Sequence, residues 1–169
     1  LDSAGIDTFL PDFPGTNESL QQLEVQEPQD WHDAMAAAGQ LFGATHALGI
    51  RGGCLFTPSA LPTLHYAPVS AGQILRPLLR ARTLSSREAG RHETRDELLE
   101  LALLHGIELA GYRLGAEFIR QFNLLTPPNG SHVITQDTIG EAGLWLRAEP
   151  GDSPSQADGL AAAVAMALV

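Results

Sequence analysis

The sequence predicts a mixed α/β protein built on a parallel sheet, and three observations carry that expectation. Short apolar runs bounded by turn residues recur, as at Ile6-Asp-Thr-Phe-Leu-Pro-Asp12 and Thr45-His-Ala-Leu-Gly-Ile50. Between these two, apolar residues fall at helical spacing at Trp31, Met35, Ala38 and Phe42. Strand, helix, glycine and strand in that order make a βαβ unit, whose crossover is right-handed and whose strands run parallel.

Each element has a local reason. The run from Ile6 ends in the loop Asp12-Phe-Pro-Gly-Thr-Asn-Glu-Ser19, and a Gln- and Glu-rich linker follows to Pro28. Asp30 is the expected N-cap of a helix over 31–42, with Gly43 as its stop. After the strand at 45–50 and the Gly52-Gly53 turn, 54–60 is expected to form a short helix ended by Pro62. Thr63-Leu-His-Tyr-Ala67 reads as a third strand and 73–86 as a helix carrying Arg76, Arg80 and Arg82. Positions 85–95 read as a polar surface linker. Thr94 or Arg95 opens a helix to His105, with Leu98, Leu101, Ala102 and His105 on one face. Further on, 106–112 reads as extended, 115–124 as helical, and Thr126-Pro-Pro-Asn-Gly130 as a break. The runs 132–138 and 144–149 are β-rich, forming either a hairpin or two sheet strands, and 152–169 is an Ala-rich helix capped by Asp152 or Ser155.

Bulk composition narrows the function. A chain of 169 residues, 44% hydrophobic and 18% charged, fits one domain able to bury roughly two-thirds of its unfolded surface. The formal charge is -10 and all ten basic residues are arginine. Such a chain argues against nucleic acid as a partner and against anionic lipid, and no apolar run reaches the ~18 residues of a membrane span. One cysteine, Cys54, excludes an internal disulfide and a cysteine-based zinc site, and fits a reducing compartment. With no secretory leader in view, the expectation is a soluble, cytoplasmic protein. The six histidines form no H-x-x-H or H-E-x-x-H pair, so neither a metal nor another cofactor is expected.

Several segments resemble a known family. Leu10-Pro-Asp-Phe-Pro-Gly-Thr-Asn-Glu-Ser19 is similar to the D-x-x-G-x-G-x-S loop of α/β-hydrolases, and Gly49-Ile-Arg-Gly-Gly53 to a G-L-R-x-G variant of their nucleophile elbow. Ala67-Pro-Val-Ser-Ala-Gly72, with the arginine-bearing segment to Arg80, and Glu108-Leu-Ala-Gly-Tyr-Arg-Leu114 complete the set. Together they resemble the group called exosortase A system-associated hydrolase, type 2, fairly over 1–125 and poorly beyond. The resemblance implies a three-layer α/β/α parallel sheet in a single domain over 1–169, with 85–130 as a cap or insertion. It also implies a partial chain, since family members carry further strands before Ile6 and a catalytic histidine after the last strand.

The elbow sequence puts Arg51 where the family's serine belongs. A guanidinium is always charged and cannot attack a carbonyl, so serine-esterase activity is expected to be weak or absent. Arg51 then serves as an anion receptor beside Gly52 and Gly53, or pairs with a carboxylate such as Asp12. Cys54 is either a displaced nucleophile or a core thiol. Ser70 either binds or attacks substrate at a strand's carboxyl end, or stabilises a turn. Asp137 is a catalytic acid or a turn residue, and His46 and His65 are core residues or ligands. Arg76, Arg80 and Arg82 form a solvated or Glu-paired face, or bind phosphate. The expected ligand is an acyl or anionic small molecule. An active hydrolase using Ser70 or Cys54, and a non-catalytic protein partner or homo-oligomer, stand as alternatives.

Overall fold

The computed structural model describes residues 1–146 and 151–168. Its elements run α1 (Pro28–Leu41), β1 (Ala47–Ile50), β2 (Thr63–Tyr66), α2 (Ala71–Glu88), α3 (Arg95–His105), β3 (Ile107–Leu109) and β4 (Tyr112–Leu114). They continue with α4 (Ala116–Phe122), β5 (His132–Ile134), α5 (Gln136–Ile139) and α6 (Pro154–Ala167). Short 3₁₀ turns occupy Asp2–Ala4, Leu23–Val25, Arg51–Phe56 and Leu144–Leu146. The protein is therefore a mixed α/β fold.

Its central sheet has three parallel strands in the order β1-β2-β5. Ile50 pairs with Tyr66 and Tyr66 with Ile134, so all three carboxyl ends lie level at one edge of the sheet. The sequence explains the helices that follow. At the start of α2, Ser70 N donates to Gln73 Oε1 (2.8 Å) and Gln73 N donates to Ser70 Oγ (3.4 Å), a reciprocal capping box. Thr94 and Glu97 repeat the device at the start of α3, where Thr94 N donates to Glu97 Oε2 (2.9 Å). The β3–β4 hairpin turns at Ala110-Gly111, both at positive φ (51° and 84°), as a two-residue turn of matching twist requires.

Two apolar clusters hold these elements. Leu64, Tyr66 and Ile134 on one sheet face bury against Ala163 and Val164 of α6. The larger cluster joins Leu55 and Phe56 to Leu75 and Leu79 of α2, Leu98 of α3 and Phe118 and Phe122 of α4. Phe56, 2% exposed, is its aromatic centre, in ring contact with Phe13, Trp31, His32 and Phe122.

Several expected elements differ. Residues 6–12 are irregular rather than a strand, with Phe9 and Leu10 exposed (54% and 98%), so the expected first βαβ unit does not form. An apolar run makes a strand only where a neighbour takes its hydrogen bonds, and here Phe9 stacks on Phe42 instead (4.2 Å). The first helix begins at Pro28, with Asp30 inside it as the carboxylate that accepts from Glu27 N (2.7 Å). The short helix expected over 54–60 is a 3₁₀ turn that starts earlier, at Arg51. Of 85–95, expected as linker, α2 takes residues through Glu88. The run at 132–138 is a strand only to Ile134 before α5, and 144–146 is a 3₁₀ turn, so no hairpin forms among the described residues. The rest of that run, 147–149, lies outside the described residues. The last helix takes Ser153 as its N-cap residue, not Asp152 or Ser155.

Candidate functional site

The carboxyl edge of the sheet gathers the chemistry. β1 ends at Ile50, and Arg51 enters the following 3₁₀ turn at φ 53°, in the left-handed region that L side chains rarely adopt. Ala67 does the same after β2, at φ 46°. Two neighbouring parallel strands thus leave the sheet through strained non-glycine residues, and such strain collects at functional sites. Gly49 makes the turn possible, because a Cβ there would lie 2.7 Å from Cys54 Cα. Gly52 lets α2 approach, since its Cβ would meet Ile74 Cδ1 at 2.9 Å. Gly53 carries no such constraint, and a Cβ there meets nothing within 4 Å.

Arg51 holds its guanidinium over the Trp145 ring, 4.2 Å from Cζ to the centroid. Trp145 meets Tyr66 edge to face (5.7 Å), and the Tyr66 hydroxyl donates to Gln136 Oε1. Gln136 Nε2 in turn donates to the Gly140 carbonyl (2.9 Å), and buried Gln156 donates to the Ala142 carbonyl (2.9 Å). These bonds fix the loop that presents Trp145, whose ring leaves no room for a side chain at position 143: a Cβ on Gly143 would lie 2.5 Å from it. The ring contact adds about 0.5–2 kcal/mol and leaves the positive charge unneutralised, available to an anion. Among the described residues Arg51 makes no ion pair with a carboxylate. Exposed Ile50, Leu144 and Leu146 flank the stack in sequence and put apolar surface beside the charge.

The other expected site residues scatter. Asp12 is exposed and accepts from Asn17 Nδ2 (2.7 Å) and Glu18 N (3.3 Å), within its own loop and not from Arg51. Ser70 follows Ala67 by three residues and is engaged as the cap of α2. Cys54 is fully buried, its thiol directed at the Tyr66 carbonyl (3.8 Å). Burial pushes that thiol up to about 11 despite hydrogen bonding and the nearby Arg51 charge, so it is protonated at neutral pH. Asp137 is exposed in the first turn of α5, and no histidine bonds to it, to Ser70 or to Cys54.

His46 lies outside β1 and is exposed, against Thr45 Oγ1 (3.1 Å). His65, by contrast, is 1% exposed on β2, with Nε2 3.0 Å from Thr57 Oγ1 and 3.4 Å from Ser131 Oγ. Burial lowers its affinity for a proton below the ordinary value of 6.5. An unfolded chain then takes up the proton first as pH falls, so this contribution to stability is complete above about pH 6.5 and declines below it. Thermal melts from about pH 7.5 to about pH 5.5 are expected to show a falling Tm, with a shallower fall in His65→Gln; an equal slope contradicts this. His32, also lowered by burial, retains part of the slope.

Sequence reasoning found the Arg51 turn but missed Trp145, Tyr66, Gln136 and Gln156, which no local motif marks. No grouping of three His, Cys, Asp or Glu side chains suited to a metal occurs among the described residues, and no helix there is long and apolar enough to cross a membrane. No protein-family model, curated protein or solved structure matches the chain.

Proposed function

We propose that this chain is a soluble, cytoplasmic protein of the α/β-hydrolase type, resembling the exosortase A system-associated group, in which the nucleophile position has become an anion receptor. The three parallel strands are, in this reading, part of the family's three-layer sheet, and Arg51-Gly-Gly53 its elbow. The ligand is an acyl or other anionic small molecule whose charge meets the Arg51 guanidinium and whose chain lies on Trp145 and its apolar neighbours. The observation that carries the proposal is the stacking of Arg51 on Trp145 at a strained strand end, with no carboxylate among the described residues to neutralise it.

The chemistry available to the chain agrees with binding rather than turnover. Arg51 has no lone pair to attack with, Ser70 has no histidine to take its proton, and Cys54 holds its own proton tightly. Labelling with a fluorophosphonate and with iodoacetamide at neutral pH tests this directly. Neither reagent is expected to mark Ser70 or Cys54 faster in the folded protein than in the urea-unfolded chain, and Cys54 is expected to react at least 100-fold more slowly when folded. Rapid labelling of either residue, lost on unfolding, overturns the proposal in favour of an active hydrolase.

A further inference from the structure

Helix α2 carries a charge pattern opposite to that of the rest of the chain. It holds Arg76, Arg80, Arg82 and Arg87 against a single acidic residue, Glu88 at its last position, in a protein whose formal charge is -10. At 100° per residue, Arg76, Arg80 and Arg87 fall within about 40° of one another, and at 1.5 Å per residue they span about 16 Å of the axis. All three are exposed, on the flank away from the buried Leu75, Leu79 and Ser86.

Three other arginines find carboxylates. Arg82 pairs with Glu93 (3.4 Å), Arg113 with Glu24 (3.7 Å) and Glu108 (3.8 Å), and Arg120 with Glu117 (2.6 Å). Among the described residues Arg76, Arg80 and Arg87 make no ion pair, and neither does Arg91 just beyond the helix end. The helix neighbours one turn away that could hold a pairing Glu are Gly72, Gln73, Pro77, Leu79, Thr83 and Leu84 instead. At the end of this row a shallow cavity of about 250 Å³ opens between Leu84, Arg87, Arg91 and His92. Glu93 also lines it, but its carboxylate is already engaged by Ser86 and Arg82, and these contacts hold it below the usual carboxylate range.

We propose that this row docks a short acidic segment of a partner protein, in extended form, with an apolar side chain seated beside Leu84. At about 3.3 Å per residue, five residues cover the row, and carboxylates two residues apart match the roughly 6 Å between Arg76 and Arg80. Long polyanions fit less well. A nucleic acid or an anionic bilayer meets the field of the whole acidic molecule, whereas a short peptide feels charges within a Debye length of about 8 Å. The row also offers no aromatic ring on which a base could stack.

The test is fluorescence anisotropy of a fluorescein-labelled six-residue peptide of alternating glutamate and leucine, with the full chain at low and at physiological salt. Saturable binding that weakens with salt, and falls at least tenfold in R76E/R80E/R87E but not in R113E, is expected. Circular dichroism establishes that the triple variant keeps its helix content, and the milder R76Q/R80Q/R87Q set replaces it if it does not. Absent binding to wild type, equal binding by the folded variant, or preference for phosphatidylglycerol vesicles or oligonucleotide over the peptide overturns the proposal.

Discussion

Phe56→Ala is expected to destabilise the fold by about 3–5 kcal/mol, the cost of removing a buried phenyl ring and leaving its cavity. At 2% exposure the ring is edge-on to Trp31 (5.0 Å) and Phe13 (5.2 Å), and parallel to Phe122 (6.3 Å). Its neighbours come from the N-terminal loop, α1 and α4, so no single element can move in to fill the space. Phe56 also ends the 3₁₀ turn that begins at Arg51, and loosening it frees the turn that presents the guanidinium. Urea unfolding measures the loss. Met166→Ala, at a side chain 72% exposed, is expected to change stability by less than about 0.5 kcal/mol. A Phe56→Ala loss below about 1 kcal/mol contradicts the packing described.

Substitution of Arg51 is expected to have the second large effect, on binding rather than on stability. Its side chain is half-buried with the guanidinium over the Trp145 ring, so Arg51→Gln leaves the core untouched while removing the cation it offers to a ligand. Affinity for a carboxylate is expected to fall at least tenfold, a change of about 1.4 kcal/mol. Arg51→Lys restores the charge but not the planar fork, so its affinity is expected to lie between the two. A lysine variant that binds as tightly as wild type would mean that a point charge, not bidentate recognition, carries the affinity.

What could be read in the sequence followed from local physics. Helix α3 was legible from the apolar face of Leu98, Leu101 and Ala102, and α2 as a helical run over 73–86, while the capping boxes of Ser70 with Gln73 and Thr94 with Glu97 that start them emerge only in the structure. Strand β2 was legible as a short apolar run between prolines, and the Arg51 turn from the elbow-like Gly49-Ile-Arg-Gly-Gly53, of which Gly49 is the position where backbone approaches closely. The run 6–12 misled because an apolar composition does not say whether a neighbouring strand exists, and Leu10 ends up in solvent. The turn at 144–146 misled in the other direction. A β-rich composition yields there to the stacking of Trp145 on Arg51, a contact between residues far apart in the chain.

The same distance explains the site. Arg51 could be singled out from its glycines, but its companion ring could not, and the expected pairing with Asp12 gives way to a loop bond between Asp12 and Asn17. Ser70 read in the sequence either as a substrate residue or as a turn hydroxyl, and its bonds are those of a helix cap. Cys54 read either as a displaced nucleophile or as a core thiol, and its burial, which keeps its proton on, fits the core thiol.

The measurement that tests the anion-receptor claim most directly is calorimetric titration of octanoate and of inorganic phosphate into wild type, Arg51→Gln and Trp145→Phe, with Trp145 emission followed in parallel. The account predicts saturable binding of octanoate to wild type with a change in tryptophan fluorescence, loss of at least tenfold in affinity in Arg51→Gln, and loss of the optical signal in Trp145→Phe. Equal affinity in wild type and Arg51→Gln, or no saturable binding of either anion, contradicts it.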